Sequence, residues 1–200
     1  MRTNWRGAWA AAGIILLAAS VASAQQVPRG LAEVRGNGRS GFWGALGFGA
    51  GGESFDLRDG AGYSSELYRP TVSLRLGGTP SERLRLGGEL LAWVNEDGDV
   101  VESLTSAMFV AQLYPTTSGL YLKGGLGIGR NEVDFRDGFG LGDTGFAGLI
   151  GAGWEVRVGR RLYLVPAVDL VAHRYTGRGG DRYRERLVNL GMGVLFQSGR

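Results

Sequence analysis

The sequence predicts an all-β protein: an eight-stranded antiparallel up-and-down transmembrane β-barrel after an N-terminal signal peptide. Apolar residues recur at every second position from residue 41 onwards, which is the period of a β-strand. No later segment has the ~20 consecutive apolar residues that a membrane-spanning helix needs. Short and long connections alternate between the predicted strands, as they do in transmembrane barrels.

The N-terminus has the organisation of a secretory signal. Arg2 and Arg6 precede an apolar run at residues 8–17, and small residues at 22–24 form a cleavage pattern. The apolar run is too short to span a bilayer. The predicted parts of the chain are a signal peptide at 1–24, a short periplasmic segment at 25–40 and a barrel domain at 41–200.

Charge and cysteine content exclude several classes of protein. The chain has 22 Lys and Arg against 19 Asp and Glu, so loss of Arg2 and Arg6 leaves 20 against 19, a net charge of +1. That balance argues against a nucleic-acid partner. The chain has no cysteine, so neither disulfides nor thiolate metal sites contribute to its stability.

Alternation is clearest in the hairpin formed by residues 68–76 and 84–94. Val72 and Leu74 lie on one face of the first strand, and Arg69 and Arg75 lie on the other. The same test predicts six further strands, of which 103–114 is the least regular because it is apolar on both faces. Their ranges are 42–51, 103–114, 120–129, 146–156, 162–173 and 187–196.

The predicted connections are unequal in length. Three are short, at residues 77–82, 115–119 and 157–161. The other four run at 52–67, 95–99, 130–144 and 176–186, and three of these are long and polar. Transmembrane barrels place short turns on the periplasmic side.

Volume decides which face of the strands points inward. Eight strands enclose an interior just wide enough for side chains, and some five large apolar residues from every strand would overfill it. We therefore expect the charged, glycine-rich face to line the lumen, with Arg69 and Arg75 across from Gly151 and Gly153. The predicted lumen network is Arg69, Arg75, Arg83, Arg85, Glu89, Lys123, Glu155 and Asp169.

Two further expectations concern aromatic residues and prolines. Aromatic residues near strand ends are expected to form girdles at the membrane interfaces. Pro70 and Pro166 lack an N–H group for the ladder, so we expect bulges there. The girdle candidates are Phe42, Trp43, Tyr68, Trp93, Tyr114, Tyr121, Phe146, Trp154, Tyr163 and Phe196.

Residues 41–197 resemble the small outer-membrane β-barrel family that includes the opacity and OmpA-type proteins. The resemblance rests on the alternating strands, on Leu113-Tyr114-Pro115 at a short turn and on the Leu-Lys-Gly-Gly-Leu-Gly motif at 122–127. It implies a location in the outer membrane of a Gram-negative cell. It also implies contact with outer-membrane lipid and lipopolysaccharide.

The final strand is similar to the signal that the outer-membrane assembly machinery recognises. The pattern is polar-x-Gly-x-x-hydrophobic-x-aromatic, carried here by Asn189, Gly191, Val194 and Phe196. The resemblance implies that this machinery and periplasmic chaperones are partners during biogenesis. Four residues follow Phe196, whereas many such barrels end on the aromatic residue.

Motifs that could carry chemistry are few. His173 is the only histidine, so a histidine-dependent mechanism must use it. Barrel lipid A deacylases, which the chain resembles here, have serine two residues after the histidine, where this chain has Tyr175. Loop aspartates at 97, 99, 134, 137 and 143 could attract divalent cations, although a solvated loop explains them better.

The sequence therefore predicts a structural or envelope-interaction barrel with a largely filled lumen. We assign no catalytic, cofactor-binding or metal-binding residues. A lipid A-modifying enzyme and a narrow small-solute channel are the alternatives. The candidate contacts for lipopolysaccharide phosphates are four arginines in the last outer loop, Arg178, Arg182, Arg184 and Arg186.

Overall fold

The computed structural model describes residues 39–56, 62–135, 140–176 and 182–198. These residues form nine antiparallel strand segments, and β7 continues β6 after Glu155. The segments are β1 Gly41–Asp56, β2 Leu67–Ser81, β3 Leu84–Asp97, β4 Val100–Leu113, β5 Leu120–Phe135, β6 Gly140–Trp154, β7 Val156–Arg157, β8 Leu162–Thr176 and β9 Arg182–Gln197.

The strands close into a barrel of eight staves. From β1 to β6 each strand pairs with the next, β9 pairs with β1 and β8, and pairing of β8 with both β6 and β7 completes the cylinder. Closure gives the backbone groups of every stave a partner on both sides, as hydrocarbon surroundings require. No helix in the described part of the chain is long and apolar enough to span a membrane.

The two faces of the sheet have the predicted polarity. Leu126, Ile150 and Leu190 point outward with 63%, 65% and 68% of their surface exposed, whereas Arg85 and Lys123 are buried in the lumen. Exposed apolar residues of this size occur around the barrel wall. Such a continuous apolar surface marks contact with lipid or another apolar partner.

The strands are longer than alternation predicts. β1 continues to Asp56, β5 reaches Phe135 and β9 begins at Arg182, so much of the predicted connections at 52–67, 130–144 and 176–186 is strand. Their outward faces are polar, with Arg130, Glu132 and Asp134 on β5 and Arg182, Arg184 and Arg186 on β9, so the apolar-outward alternation of the other strand portions does not continue into them. Their backbones still pair in register, as Val100 with Phe135 shows.

The two ends of the barrel are named here by their connections. The loop end carries residues 57–66, 98–99, 136–139 and 177–181. The turn end carries residues 82–83, 114–119 and 158–161, together with the start of β1 and the end of β9. The connections differ less in length between the ends than the sequence predicts, because the strands extend towards the loop end.

Pro70 and Pro166 lie in regular ladders without bulges, so the expectation of bulges was wrong. Pro70 pairs with Ala50 of β1 just beyond Thr71, where pairing of β2 with β3 stops. Pro166 pairs with Met192 beside the interruption between β6 and β7. In both places the missing N–H falls where one neighbouring ladder has ended.

The aromatic girdle prediction was partly wrong. Five of its ten residues, Phe42, Tyr68, Phe146, Trp154 and Phe196, are exposed on the outer face. Trp43, Trp93, Tyr114 and Tyr121 are instead buried inside the barrel, and Tyr163 is partly buried against the cluster that contains Trp43, Tyr114 and Tyr121. Position near a strand end does not fix the face; the alternation of each strand does.

The predicted signal peptide lies outside the described residues, as does nearly all of the predicted periplasmic segment. Only Arg39 and Ser40 of that segment are described. Both contact the turn end of the barrel: Arg39 Nε donates to Glu155 Oε2 at 3.3 Å and the Ser40 carbonyl accepts a hydrogen bond from Gln197 Nε2 at 3.1 Å.

Candidate functional site

A hydrogen-bonded cluster fills the lumen at the turn end. Arg85 forms an ion pair with Glu155 and donates to Tyr114 Oη at 2.9 Å. Tyr114 Oη donates to Glu155 Oε1 at 2.6 Å, and the Arg39 guanidinium lies 4.0 Å from the Tyr114 ring centroid. Gln197 accepts a hydrogen bond from Arg85. We call these five residues the turn-end cluster.

A second ion-paired group lies further inside. Lys123 Nζ is 2.9 and 2.7 Å from the two carboxylate oxygens of Glu89 and 3.1 Å from Asp169 Oδ2. We call it the Lys123 triad. Nearby, Arg75 donates to Tyr121 Oη at 3.1 Å. These contacts connect β2, β3, β5 and β8 across the barrel.

Six of the eight predicted lumen residues are buried, namely Arg75, Arg85, Glu89, Lys123, Glu155 and Asp169. Arg69 is half-buried on the lumen face, where its Nε donates to Asn95 Oδ1 at 2.7 Å. Arg83 was wrongly assigned to the lumen: it lies exposed in the turn between β2 and β3. The register of that pair shifts between Gly78 and Ser81, so alternation does not continue into the turn.

Arg69 and Arg75 do not cover Gly151 and Gly153. A Cβ atom on Gly151 would meet the Asp169 carboxylate, and one on Gly153 would meet the Tyr121 ring at 2.5 Å. Arg75 instead reaches the Tyr121 hydroxyl. The backbone at Gly151 and Gly153 does leave room for polar side chains, as predicted. Those side chains are Asp169 of β8 and Tyr121 of β5.

Apolar side chains also line the lumen, which the sequence analysis did not predict. They form two clusters on either side of the Lys123 triad. The cluster towards the loop end contains Leu91, Trp93, Leu104, Met108, Val110, Ala147, Leu149, Val171, Tyr175 and Leu187. The cluster towards the turn end contains Trp43, Ala45, Tyr114, Tyr121, Val165 and Leu195.

One small cavity lies between the layers of the lumen near the Lys123 triad. A cavity of about 10 Å³ lies beside Arg75, Asp169 and Asn189, which is room for about one water molecule. The indole of Trp93 donates to the Gly51 carbonyl at 2.9 Å and further closes the interior. This part of the barrel therefore has the packing of a core.

His173 lies on the lumen face towards the loop end. Its Nε2 is 2.8 Å from the Ser106 hydroxyl of β4, a pairing that sequence proximity could not reveal. Ser106 and His173 are 1% and 2% exposed, and His173 Nδ1 has no hydrogen-bond partner. The pair thus lacks the acidic orienting group of a catalytic triad and direct access to solvent.

Carboxylates gather at the loop end of the lumen. Glu53 and Glu185 are buried, and Glu102 and Asp143 are half-buried. Asn131 Nδ2 donates to Glu185 Oε1 at 2.6 Å, and Tyr183 Oη donates to Asp143 Oδ2 at 3.0 Å. We call these four carboxylates the loop-end acidic cluster.

Arginines occupy the opposite, outward face at the same end. Arg182, Arg184 and Arg186 alternate with lumen-facing residues in β9 rather than lying in a loop, and Arg178 lies outside the described residues. Arg174 of β8 stands directly opposite Arg184. We call Arg174, Arg182, Arg184 and Arg186 the outward arginine patch. Arg174 was not among the predicted contacts because it lies between the predicted strand at 162–173 and the predicted connection at 176–186.

Neighbouring side chains hold Arg186 of this patch in place. Arg186 Nε donates to Ser54 Oγ at 2.9 Å, and its guanidinium carbon lies 4.3 Å from the Tyr63 ring centroid. Its Nη2 atom is 3.9 Å from Glu66 Oε1, with both side chains substantially exposed. An exposed pair at that distance contributes little to stability.

The residues of the predicted assembly signal lie on both faces of β9. Asn189 and Gly191 face the lumen, where Asn189 Oδ1 accepts a hydrogen bond from Thr71 Oγ1 at 2.6 Å. Val194 and Phe196 are exposed outside. The signal therefore presents its apolar residues to the exterior of the barrel.

The aspartates considered as cation ligands do not form a metal site among the described residues. No group of three or more His, Asp or Glu side chains there is placed to hold a metal ion. Asp137 lies outside the described residues. Asp143 instead belongs to the loop-end acidic cluster.

The closed cylinder, apolar outside and ion-paired within, has the fold of the small eight-stranded outer-membrane β-barrels. The chain matches no protein-family model and no curated protein sequence. Among solved structures it is similar to Neisserial surface protein A, with a TM-score of 0.63 and 17% identity over 80% of this chain and 98% of that one. It is also similar to Ail, the attachment invasion locus protein of Yersinia pestis, with a TM-score of 0.51 and 15% identity over 78% of this chain and 99% of that one.

Proposed function

We propose that this protein is a non-catalytic outer-membrane barrel with a structural or envelope-interaction role, anchored by binding the phosphate groups of lipopolysaccharide through its outward arginine patch. The loop end then faces the cell exterior, and the turn end faces the periplasm. The observation that carries the proposal is the direct cross-strand pairing of Arg174 with Arg184 on the face that continues the apolar wall.

Arginines directly opposite each other on neighbouring strands repel, and Asp56 of β1, which stands opposite Arg184 on its other side, offsets only one of the two positive charges. An anion bound between them removes that cost, and guanidinium groups bind phosphate oxygens in a bidentate manner. Arg182 and Arg186 flank the pair on the same face of β9 and increase the local positive potential. Further along β9, towards the turn end, the outward face is apolar from Val188 and Leu190 onwards. The acyl chains of the same lipid would pack against this part of the strand.

Lipopolysaccharide binding by purified protein tests the proposal. We expect Arg174→Gln with Arg184→Gln to weaken binding about tenfold or more, since two charge-assisted contacts are lost. Arg83→Gln with Arg160→Gln is the matched control, because both arginines are exposed at the turn end. Equal loss in both double variants would mean that overall charge, rather than this patch, governs binding.

The packed lumen supports a role without solute transport. The turn-end cluster and the Lys123 triad each cross the interior, and the Trp93 indole of β3 bonds to the Gly51 carbonyl of β1, two strands away. In planar bilayers we expect no resolved conductance steps from the folded protein. Reproducible steps would instead favour the narrow-channel alternative.

The lipid A-modifying enzyme remains the alternative from another class, and the Ser106–His173 hydrogen bond is the geometry that it would use. Both side chains are enclosed in the lumen, away from the outer wall where lipid A lies. We therefore propose that this pair packs the barrel. Unchanged mass spectra of lipid A in cells with and without the protein are expected.

A further inference from the structure

We propose that the turn between β7 and β8, residues 158–161, binds the phosphate group of an anionic phospholipid in the periplasmic leaflet. Arg160 and Arg161 hold the phosphate, and the apolar wall beside the turn contacts the acyl chains. This site lies at the opposite end of the barrel from the outward arginine patch. Its assignment to the periplasmic leaflet rests on the orientation given under the proposed function.

The apolar outer wall continues to the start of this turn. Val156 and Val158 stand at alternate positions and are 47% and 52% exposed. Leu162 pairs with Phe196 of β9, and these two residues are 42% and 46% exposed. The Val158 N–H donates to the Leu162 carbonyl at 3.0 Å. An outward apolar band is the part of a transmembrane barrel that contacts hydrocarbon, so the edge of that band lies at this turn.

Three exposed arginines, Arg157, Arg160 and Arg161, stand at the edge of the apolar wall. Glu155 is the acidic residue nearest to them in the sequence, and it is buried in the lumen within the turn-end cluster. Arginine at such a boundary keeps its methylene groups on apolar surface and extends its guanidinium towards water. The headgroups of the adjacent leaflet lie at that level.

Hydrogen bonds fix the backbone of the turn. Arg157 Nε donates to the Gly159 carbonyl at 3.0 Å, and its Nη2 donates to the Arg160 carbonyl at 3.1 Å. The Gln197 N–H of β9 donates to the Arg161 carbonyl at 3.0 Å. The side chains of Arg160 and Arg161 therefore leave a fixed backbone, which lowers the conformational entropy that binding removes.

An anionic phospholipid matches both parts of this surface. Guanidinium groups form bidentate, charge-assisted hydrogen bonds with phosphate oxygens, and acyl chains pack on the apolar wall beside them. A free anion lacks the apolar contacts. A zwitterionic lipid offers the same phosphate but also a positive group, which the arginines repel. Basic side chains at a membrane surface accordingly favour anionic lipids, of which phosphatidylglycerol is the simplest probe.

Trp154 is a reporter for this site, because it lies on the outward face close to the turn and is 48% exposed. The mature protein is refolded into phosphatidylcholine vesicles without lipopolysaccharide. A small fraction of the lipid is brominated phosphatidylglycerol or, in a parallel sample, brominated phosphatidylcholine. Bromine quenches indole fluorescence at short range, and the other tryptophans of the described residues, Trp43 and Trp93, are buried in the lumen.

We expect phosphatidylglycerol to be enriched beside Trp154 about fivefold or more over phosphatidylcholine, the factor that one arginine near an anionic surface contributes. Arg160→Gln with Arg161→Gln should abolish this preference. The matched control is Arg83→Gln with Arg130→Gln, which removes the same charge from the turn between β2 and β3 and from β5. The control should be quenched as the unmodified protein is.

Arg174→Gln with Arg184→Gln should also keep the preference, so the phospholipid site and the proposed lipopolysaccharide site are tested separately. Heat-dependent mobility on a detergent gel verifies that each variant is folded. Three results would overturn the proposal: equal quenching of the unmodified protein by the two brominated lipids, a preference that survives loss of both turn arginines, or an equal loss of preference in the matched control.

Discussion

Lys123 shows how one side chain determines the character of the lumen. Its ammonium group contacts both oxygens of Glu89 and also Asp169, so three buried ionic groups satisfy one another. Removing one member of the triad alone is costly, because the buried charges that remain then have no opposite charge beside them. The triad therefore stabilises the barrel as a complete unit rather than as separate ion pairs.

We expect Lys123→Met to lower the free energy of unfolding by about 3–5 kcal/mol, because it leaves two buried carboxylates unpaired. Adding Glu89→Gln and Asp169→Asn to that variant should recover much of the loss. Urea-induced unfolding in lipid vesicles measures both effects. A triple variant no more stable than Lys123→Met would show that loss of the lysine stem, rather than of charge balance, is responsible.

Gly151 accommodates a neighbouring side chain through its lack of a Cβ atom. A Cβ atom there would collide with the Asp169 carboxylate and lie 2.8 Å from the Val168 carbonyl oxygen. We expect Gly151→Leu to destabilise the folded barrel by about 1–3 kcal/mol or more, as overpacking does. Thermal or urea unfolding in detergent provides the measurement.

Gly124→Leu is the matched control for that experiment. Gly124 lies on the outward face between Leu122 and Leu126, and an added Cβ atom there meets nothing closer than 4.0 Å. The control should unfold close to the unmodified protein. If Gly151→Leu and Gly124→Leu unfold alike, packing in the lumen does not require the absence of a Cβ atom at Gly151.

Alternation in the sequence was sufficient to assign most of the buried charges. Arg75, Glu89 and Lys123 lie at regular positions within strands, so their face follows from the strand period. Arg83 was wrong because it lies in a turn. Ser106 was missed because its partner, His173, is distant in the sequence and only the closed barrel brings the two together.

At the scale of the element, the strands were correctly placed but predicted too short. Hydrophobic alternation detects only the part of a strand that contacts lipid or an apolar core. The loop-end portions of β5 and β9 carry charged residues on their outward faces, and their pairing is maintained by backbone hydrogen bonds. The loop-end acidic cluster and the outward arginine patch both lie in or beside these extensions, so alternation did not show which face of the sheet either group occupies.

The last strand carries a prediction about biogenesis. If the assembly machinery recognises the exposed aromatic of β9, Phe196→Ala should slow assembly catalysed by that machinery several-fold and leave unassisted folding into detergent nearly unchanged. Phe48→Ala is the matched control, since Phe48 is also an outward aromatic residue, but on β1. Rates come from the appearance of the heat-modifiable band on a gel. Equal slowing by both substitutions would contradict a specific role for Phe196.

At the scale of the whole molecule, the volume argument correctly predicted that the charged face of the strands points inward, but it did not predict everything that fills the lumen. Charged residues do face inward, but two apolar clusters share the lumen with them. The interior is therefore a layered core in which ionic and apolar groups alternate along the barrel axis. The order of these ionic and apolar layers depends on the stagger between neighbouring strands. Alternation within a single strand does not specify that stagger.

Site-directed spin labelling in lipid vesicles tests sidedness most directly, because the chain has no native cysteine. Labels at Leu126→Cys, Ile150→Cys and Leu190→Cys should be more accessible to oxygen, which partitions into the acyl chains, than to a water-soluble nickel chelate. A label at Arg83→Cys, in an exposed turn, should show the reverse preference. Greater accessibility to the nickel chelate at all three wall positions would contradict a barrel whose apolar face contacts lipid.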